Sequence, residues 1–182
     1  MCGICGIISP DDTVTGRLLT AMNDAQKHRG PDGEGYFLDR QRPLLLKDIR
    51  PTDKESGFCG LAHRRLAILD PARGQQPMVS ADGRFVVMLN GEIYNFQSLR
   101  RELEVSYKFS TDCDTEVLLY LHARESDRPE NWIRRLNGIF SFVVWDREKK
   151  QLLMARDHFG VKPLHVAQKG NRFLFASEIK SL

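Results

Sequence analysis

The run IFSFVVWD, residues 139–146, is apolar at nearly every position. A strand with one wet face alternates apolar and polar residues, so a run like this has to be covered on both faces. RFVVMLN (84–90), QLLMARD (151–157), RFLFAS (172–177) and residues 3–9 also read as strands, as do GYFL, FCGLAHRRLAIL and PLHVAQ. Most are joined by links of hairpin length, which calls for antiparallel sheets. Stacked sheets clad with helices would cover the doubly apolar strands.

The helices are legible from their spacing. In residues 14–27, Val14, Leu18, Leu19, Met22 and Ala25 share one helical face, and Gly30-Pro31 ends the pattern. FQSLRREL (96–103) and DTEVLLYLHARE (114–125) are amphipathic, with Asp114 a candidate N-cap. RPENWIRRL (128–136) predicts a further helix, with Pro129 suited to its first turn. Residues 40–57 are mixed and polar and read as an exposed excursion, and Lys169-Gly170-Asn171 reads as a loop. Strands, then helices, then strands predict an α+β fold with antiparallel sheets. At 182 residues the chain suits one good-sized domain.

Charge narrows the functions. The net charge is only +3, and the basic residues fall in scattered pairs such as Arg64-Arg65, Arg100-Arg101 and Arg134-Arg135. A nucleic-acid footprint needs a clustered basic face, so no nucleic-acid partner is indicated. Such pairs read as solvated surface or local ion pairing. No stretch approaches the ~18 apolar residues of a membrane span, and no secretion signal opens the chain. Four cysteines do not make a disulfide framework at this length, so a reducing cytoplasm is the expected location.

Four stretches could carry chemistry. Cys2 and Cys5 form a C-x-x-C, which suggests a zinc half-site, a redox pair, or a nucleophile at position 2 once Met1 is removed. Zinc needs a second ligand pair, which Cys59, Cys113 and the histidines do not supply. A redox pair belongs between a strand and a helix, whereas this one lies in a strand-like run. A mature N-terminal cysteine would place an amine of pKa ~7.7–8.0 beside a thiol of ~8.5, so nucleophile and base share one residue. Asn90-Gly91 reads either as a hairpin turn or as an oxyanion hole, made of a side-chain amide and an open backbone N–H. Glu92 adds a carboxylate there. Arg65, set among apolar residues, wants a carboxylate from the protein or a ligand. Asp114 either caps its helix or holds an ammonium, and with Arg65 and Glu92 it would make an α-amino-acid site.

In order along the chain come MCGICGI, HRGPDGEG, LAHRRLAILD, GQQPM, LNGEIYN, DTEVLL, RDHFGVKPL and FASEIKSL. This series resembles the N-terminal glutaminase domain of glutamine-hydrolysing asparagine synthetases, class II amidotransferases of the N-terminal-nucleophile hydrolase superfamily. The resemblance implies a four-layer αββα sandwich of two antiparallel sheets, spanning residues 1–182. It implies Cys2 as the nucleophile, Met1 being removed, and Asn90 and Gly91 as the oxyanion pair. Arg65 would hold the carboxylate of L-glutamine, and Glu92 and Asp114 its ammonium. The backbone of Leu66, Ala67, Ile68 and Leu69 would be the strand lining the pocket. No cofactor is expected in this domain. ATP and magnesium belong to the family's synthetase domain, whose S-G-G-x-D-S loop does not occur in this chain. That domain is expected as a partner in cis or in trans, and a second copy of the chain is a further candidate partner. The ammonia acceptor would be aspartate or, as in some relatives, another carboxylic acid. A non-catalytic regulatory domain and an amidase for another substrate are the competing readings.

Overall fold

The computed structural model describes residues 1–11 and 13–182. In chain order the elements are β1 (Gly3–Ile8), β2 (Val14–Thr15), α1 (Gly16–Ala25), β3 (Gly33–Asp39), β4 (Leu44–Lys47), β5 (Ser56–Gly57) and β6 (Cys59–Arg65). They continue with β7 (Met78–Val79), β8 (Phe85–Ile93), α2 (Phe96–Leu103), α3 (Asp114–Arg124), α4 (Pro129–Ile133), β9 (Gly138–Asp146), β10 (Gln151–Arg156), β11 (His165–Lys169) and β12 (Arg172–Ala176). The chain divides into two compact units. One comprises residues 1–67, 75–77 and 163–182, and the other residues 68–74 and 78–162.

The first unit is an antiparallel sheet in the order β11-β12-β1-β6-β3-β4, with β2 and β5 paired separately. Helix α1 starts where the Thr15 side chain accepts the Leu18 N–H. Its Leu19 and Met22 join Cys5, Ile7, Tyr36, Leu38, Ala62 and Leu174 in one apolar cluster. At about 25 cal/mol per Å², each fully buried side chain of this size contributes roughly 2 kcal/mol. The intervening residues Ile4, Phe37, Leu61 and Phe175 are buried as well. Both faces of the central strands β1, β6 and β3 are therefore largely dry.

The excursion at 40–57 is more ordered than its composition suggests. Leu44–Lys47 adds a strand to β3, and Ser56–Gly57 pairs with β2, so Val14 ends a short strand contact instead of opening the helix. Arg50 returns from this segment to Glu34 at 2.8 Å and Asp24 at 2.9 Å. Arg64, almost wholly buried, meets Glu34 at 2.7 Å and also pairs with Asp24. The Arg64-Arg65 pair is thus interior, and local ion pairing holds for Arg64.

The second unit is a sheet in the order β10-β9-β8-β7, all antiparallel, with α2, α3 and α4. Val87, Leu89, Phe140, Phe142 and Val144 form one cluster with Leu99, Val117, Leu118, Leu121 and Trp132 from the helices. Val86, Met88, Val143 and Trp145 are buried too, which meets the requirement set by the run 139–146.

Glu116, in the first turn of α3, is buried and gathers the preceding loop. Its carboxylate accepts from the Ser110 N–H and hydroxyl at 2.9 Å each, and from the Thr111 N–H at 2.7 Å and hydroxyl at 2.6 Å. Glu116→Ala leaves the two buried Thr111 donors without their acceptor, and a buried donor without a partner costs about 1–3 kcal/mol. The expected loss is about 3 kcal/mol of unfolding free energy, read from urea midpoints, and a loss below ~1 kcal/mol would refute this account.

Candidate active site

The expected site residues form two groups. Cys2, Arg65, Leu66 and Ala67 belong to the first unit, and Ile68, Leu69, Asn90, Gly91, Glu92 and Asp114 to the second.

Cys2 stands just before β1, at the edge of burial. The Leu66 N–H donates to its sulfur at 3.3 Å, and the sulfur lies 3.6 Å from the Leu66 carbonyl oxygen. The Cys2 carbonyl accepts from Arg29 Nε at 2.8 Å, and Arg29 Nη1 reaches Glu178 at 2.7 Å. The Arg29 contact holds the Glu178 carboxyl below its usual range. The start of the chain is thereby fixed from two other segments. Arg29 and Glu178 sit in HRGPDGEG and FASEIKSL, motifs quoted above without roles; an arginine inside a turn motif was the signal available. Cys5 differs in kind. It is fully buried, and burial pushes its thiol far up, leaving it inert beside Cys2.

Arg65 is the buried last residue of β6. The strand stops there, which corrects the expectation of a strand through residues 66–69. The reason lies in the hydrogen bonds: Leu66 N–H goes to sulfur, and Ala67 N–H goes to the Asp32 carboxylate at 2.9 Å. No neighbouring strand takes them. Gly30 makes this packing possible, since a Cβ there would come within 2.4 Å of the Arg65 nitrogen. Leu69 packs on the second unit's core, and its carbonyl receives the Cys113 thiol at 3.5 Å, while Ile68 is exposed.

In the second unit Asn90 and Gly91 do not form a turn. They lie within β8, facing Ser141 and Phe140 of β9, so the hairpin reading is corrected. Asn90 is fully buried, with Nδ2 donating to Ser141 Oγ at 3.4 Å. Gly91 has φ of 150°, and a Cβ there would meet the Ile139 carbonyl oxygen at 2.1 Å. Only glycine fits. The pair is a built feature of a central strand, which a loop-like dipeptide in the sequence disguises.

Asp114 is the first residue of α3, and Cys113, not Asp114, is the N-cap. Its Oδ2 accepts the Ile93 N–H at 3.0 Å, which ties it to the end of the Asn90–Gly91–Glu92 strand. Burial, with the Glu92 charge adding to it, raises the Asp114 carboxyl to about 6 despite backbone donors. A folded-state value above the unfolded ~3.9 stabilises the protonated form, so that contribution is complete below about 4 and lost as pH rises through 6. Asp114→Asn removes the effect. Relative to wild type, the variant is expected to gain about 3 kcal/mol between pH 4 and pH 7, measured by denaturant unfolding. A difference that is flat with pH would contradict it.

The motif RDHFGVKPL also acquires a role within its unit. Burial opposes ionisation of Asp157, yet the N–H groups of Val161, Lys162, Phe140 and Phe159 hold its carboxyl below the usual range. Arg156 donates to the Lys162 and Gly160 carbonyls at 2.9 and 2.6 Å. The motif is a hydrogen-bonded structural turn.

The first unit thus carries a cysteine at the head of a strand, and the second a strand-borne asparagine–glycine pair. The glutamine amidotransferase domain model matches residues 1–182, and the chain belongs to that family. Among curated proteins it is similar to asparagine synthetase [glutamine-hydrolyzing] 2 of Bacillus subtilis, 38% identical over 186 residues. It is also similar to the putative asparagine synthetase [glutamine-hydrolyzing] 1 of Methanocaldococcus jannaschii, 37% identical over 185 residues. Each match covers 100% of this chain, but the chain spans only 22% and 33% of those relatives. A solved structure, glutamine phosphoribosylpyrophosphate amidotransferase from B. subtilis complexed with ADP and GMP, matches with a TM-score of 0.83. It covers 99% of this chain and 42% of that one at 24% identity, a likeness of fold alone. The fold class expected from the sequence, α+β with antiparallel sheets, is the one the structure has and this likeness of fold supports.

Proposed function

We propose that the chain hydrolyses L-glutamine to glutamate and ammonia, with Cys2 as nucleophile after removal of Met1. The observation that carries the reading is the Cys2 thiol at the head of β1 with a backbone N–H on its sulfur. The α-amine of Cys2 takes the thiol proton, and the sulfur attacks the side-chain amide carbon of glutamine. Asn90 Nδ2 and the Gly91 N–H stabilise the oxyanion. The C–N bond breaks, the amine returns the proton, ammonia departs, and water then hydrolyses the γ-glutamyl thioester.

Arg65 holds the substrate carboxylate, Glu92 and Asp114 its ammonium, and the backbone of residues 66–69 lines the pocket. A substrate ammonium beside Asp114 favours the ionised carboxylate, which burial alone disfavours. The domain itself uses no cofactor. The ammonia goes to an ATP-dependent synthetase domain, with aspartate the acceptor, supported by the names of the relatives that match the whole chain. No helix among the described residues is long and apolar enough to cross a membrane, and the cysteines are free thiols, in keeping with a reducing cytoplasm. Glutamate release from glutamine, with asparagine and other amides as controls, tests the reading. Equal rates on all amides would replace it with a general amidase, and no release would leave a regulatory domain.

A further inference from the structure

A cavity of about 280 Å³ lies in the second unit, lined by residues from the end of α3, the start of α4 and the β9–β10 hairpin. It is larger than the ~150 Å³ cavity that suffices to take up benzene. Its apolar wall includes Val144, Leu152 and Leu153, and its polar wall His122, Ser126 and Lys149.

His122 is the notable member. It is 5% exposed, and its Nδ1 is buried without a hydrogen-bond partner. Edge contacts with Phe85 at 4.9 Å and Trp132 at 6.0 Å between ring centroids fix the imidazole. Burial pushes its pKa down to about 4, so the ring is neutral at pH 7 and can present one N–H.

The lining carries one cation, Lys149, and one carboxylate, Asp146. The Asp146 carboxylate is already engaged by Arg84 at 2.8 and 3.2 Å and by the N–H groups of Glu148 and Lys149. Among the described residues Lys149 pairs with Asp127 at 2.6 Å, a contact at the surface that contributes little and is readily exchanged. Lys149 is therefore the cation at hand, with Ser126 adding a hydroxyl.

We propose that this cavity binds a small aliphatic carboxylate, its carboxylate held by Lys149 and the His122 ring and its carbon chain lying on Val144, Leu152 and Leu153. The site does not depend on the glutaminase reading and shares no residue with it. The test uses 4-methylpentanoate as probe, followed by the His122 ring signals in the NMR spectrum of the ¹⁵N-labelled protein. Saturable shifts are expected. Lys149→Met, a surface change, is expected to weaken binding about tenfold, the loss of one charge-assisted contact, without changing glutamine turnover. His122→Phe is expected to weaken it similarly. 4-Methylpentan-1-ol, with the same body and no charge, is expected to bind at least about tenfold more weakly. The proposal is overturned if the His122 signals do not respond, if Lys149→Met binds as wild type does, or if the alcohol binds as well as the acid.

Discussion

Cys2→Ala is expected to abolish glutamine hydrolysis while leaving the protein folded. Loss of the nucleophile in a covalent mechanism lowers turnover by on the order of 10⁶ in comparable hydrolases, which is below detection in an ordinary glutamate-release assay. The fold should survive because what fixes the chain start is not the thiol. Arg29 grips the Cys2 carbonyl, and β1 pairs with β6 and β12 through its own backbone. The sulfur contributes weak hydrogen bonds with the Leu66 N–H and carbonyl, so the stability change should stay within about 1 kcal/mol. Circular dichroism and a urea transition measure that part. Residual turnover within tenfold of wild type would remove Cys2 from the chemistry altogether. Intact mass decides the base independently: active enzyme that retains Met1 has no free Cys2 amine, and the proton path would need another residue.

The strand content was legible because apolar runs such as 139–146 leave little choice, and the helices because Leu and Met recur at helical spacing. Where the reading failed, the determinant was non-local. Asn90-Gly91 looks like a hairpin to any rule based on neighbours in sequence. Its conformation is set by β9, whose Ile139 carbonyl occupies the space where a side chain would be. Residues 66–69 look like strand because they are apolar, but the N–H groups of Leu66 and Ala67 are taken by the Cys2 sulfur and the Asp32 carboxylate. Residues 40–57 look like solvent-exposed chain, yet Arg50 finds Glu34 and Asp24 and Leu44–Lys47 finds β3. The same limit applies to the candidate site. The residues that would act are polar oddities in apolar strings, which a sequence displays. Those that position them, Arg29, Glu178 and Ser141, are ordinary residue types until their partners are known.

Asn90→Ala separates the oxyanion role from a purely structural one. Asn90 is buried on a central strand, and its amide donates to Ser141 Oγ at 3.4 Å, a long bond that contributes little to folding. Truncation removes that donor and opens a small void, so the expected stability loss is about 1–2 kcal/mol. The catalytic loss should be much larger. An oxyanion exists only once sulfur has attacked, so a donor aimed at it strengthens in the transition state and not in the bound substrate. Turnover is expected to fall by roughly 10²–10³ while KM for glutamine stays within a few-fold. Asn90→Asp keeps the shape but sets a carboxylate where negative charge develops, and should fall further still. A rise in KM with turnover preserved would assign Asn90 to ground-state binding. A loss of activity that merely follows unfolding in both variants would make it a packing residue, and the oxyanion would then rest on Gly91 alone.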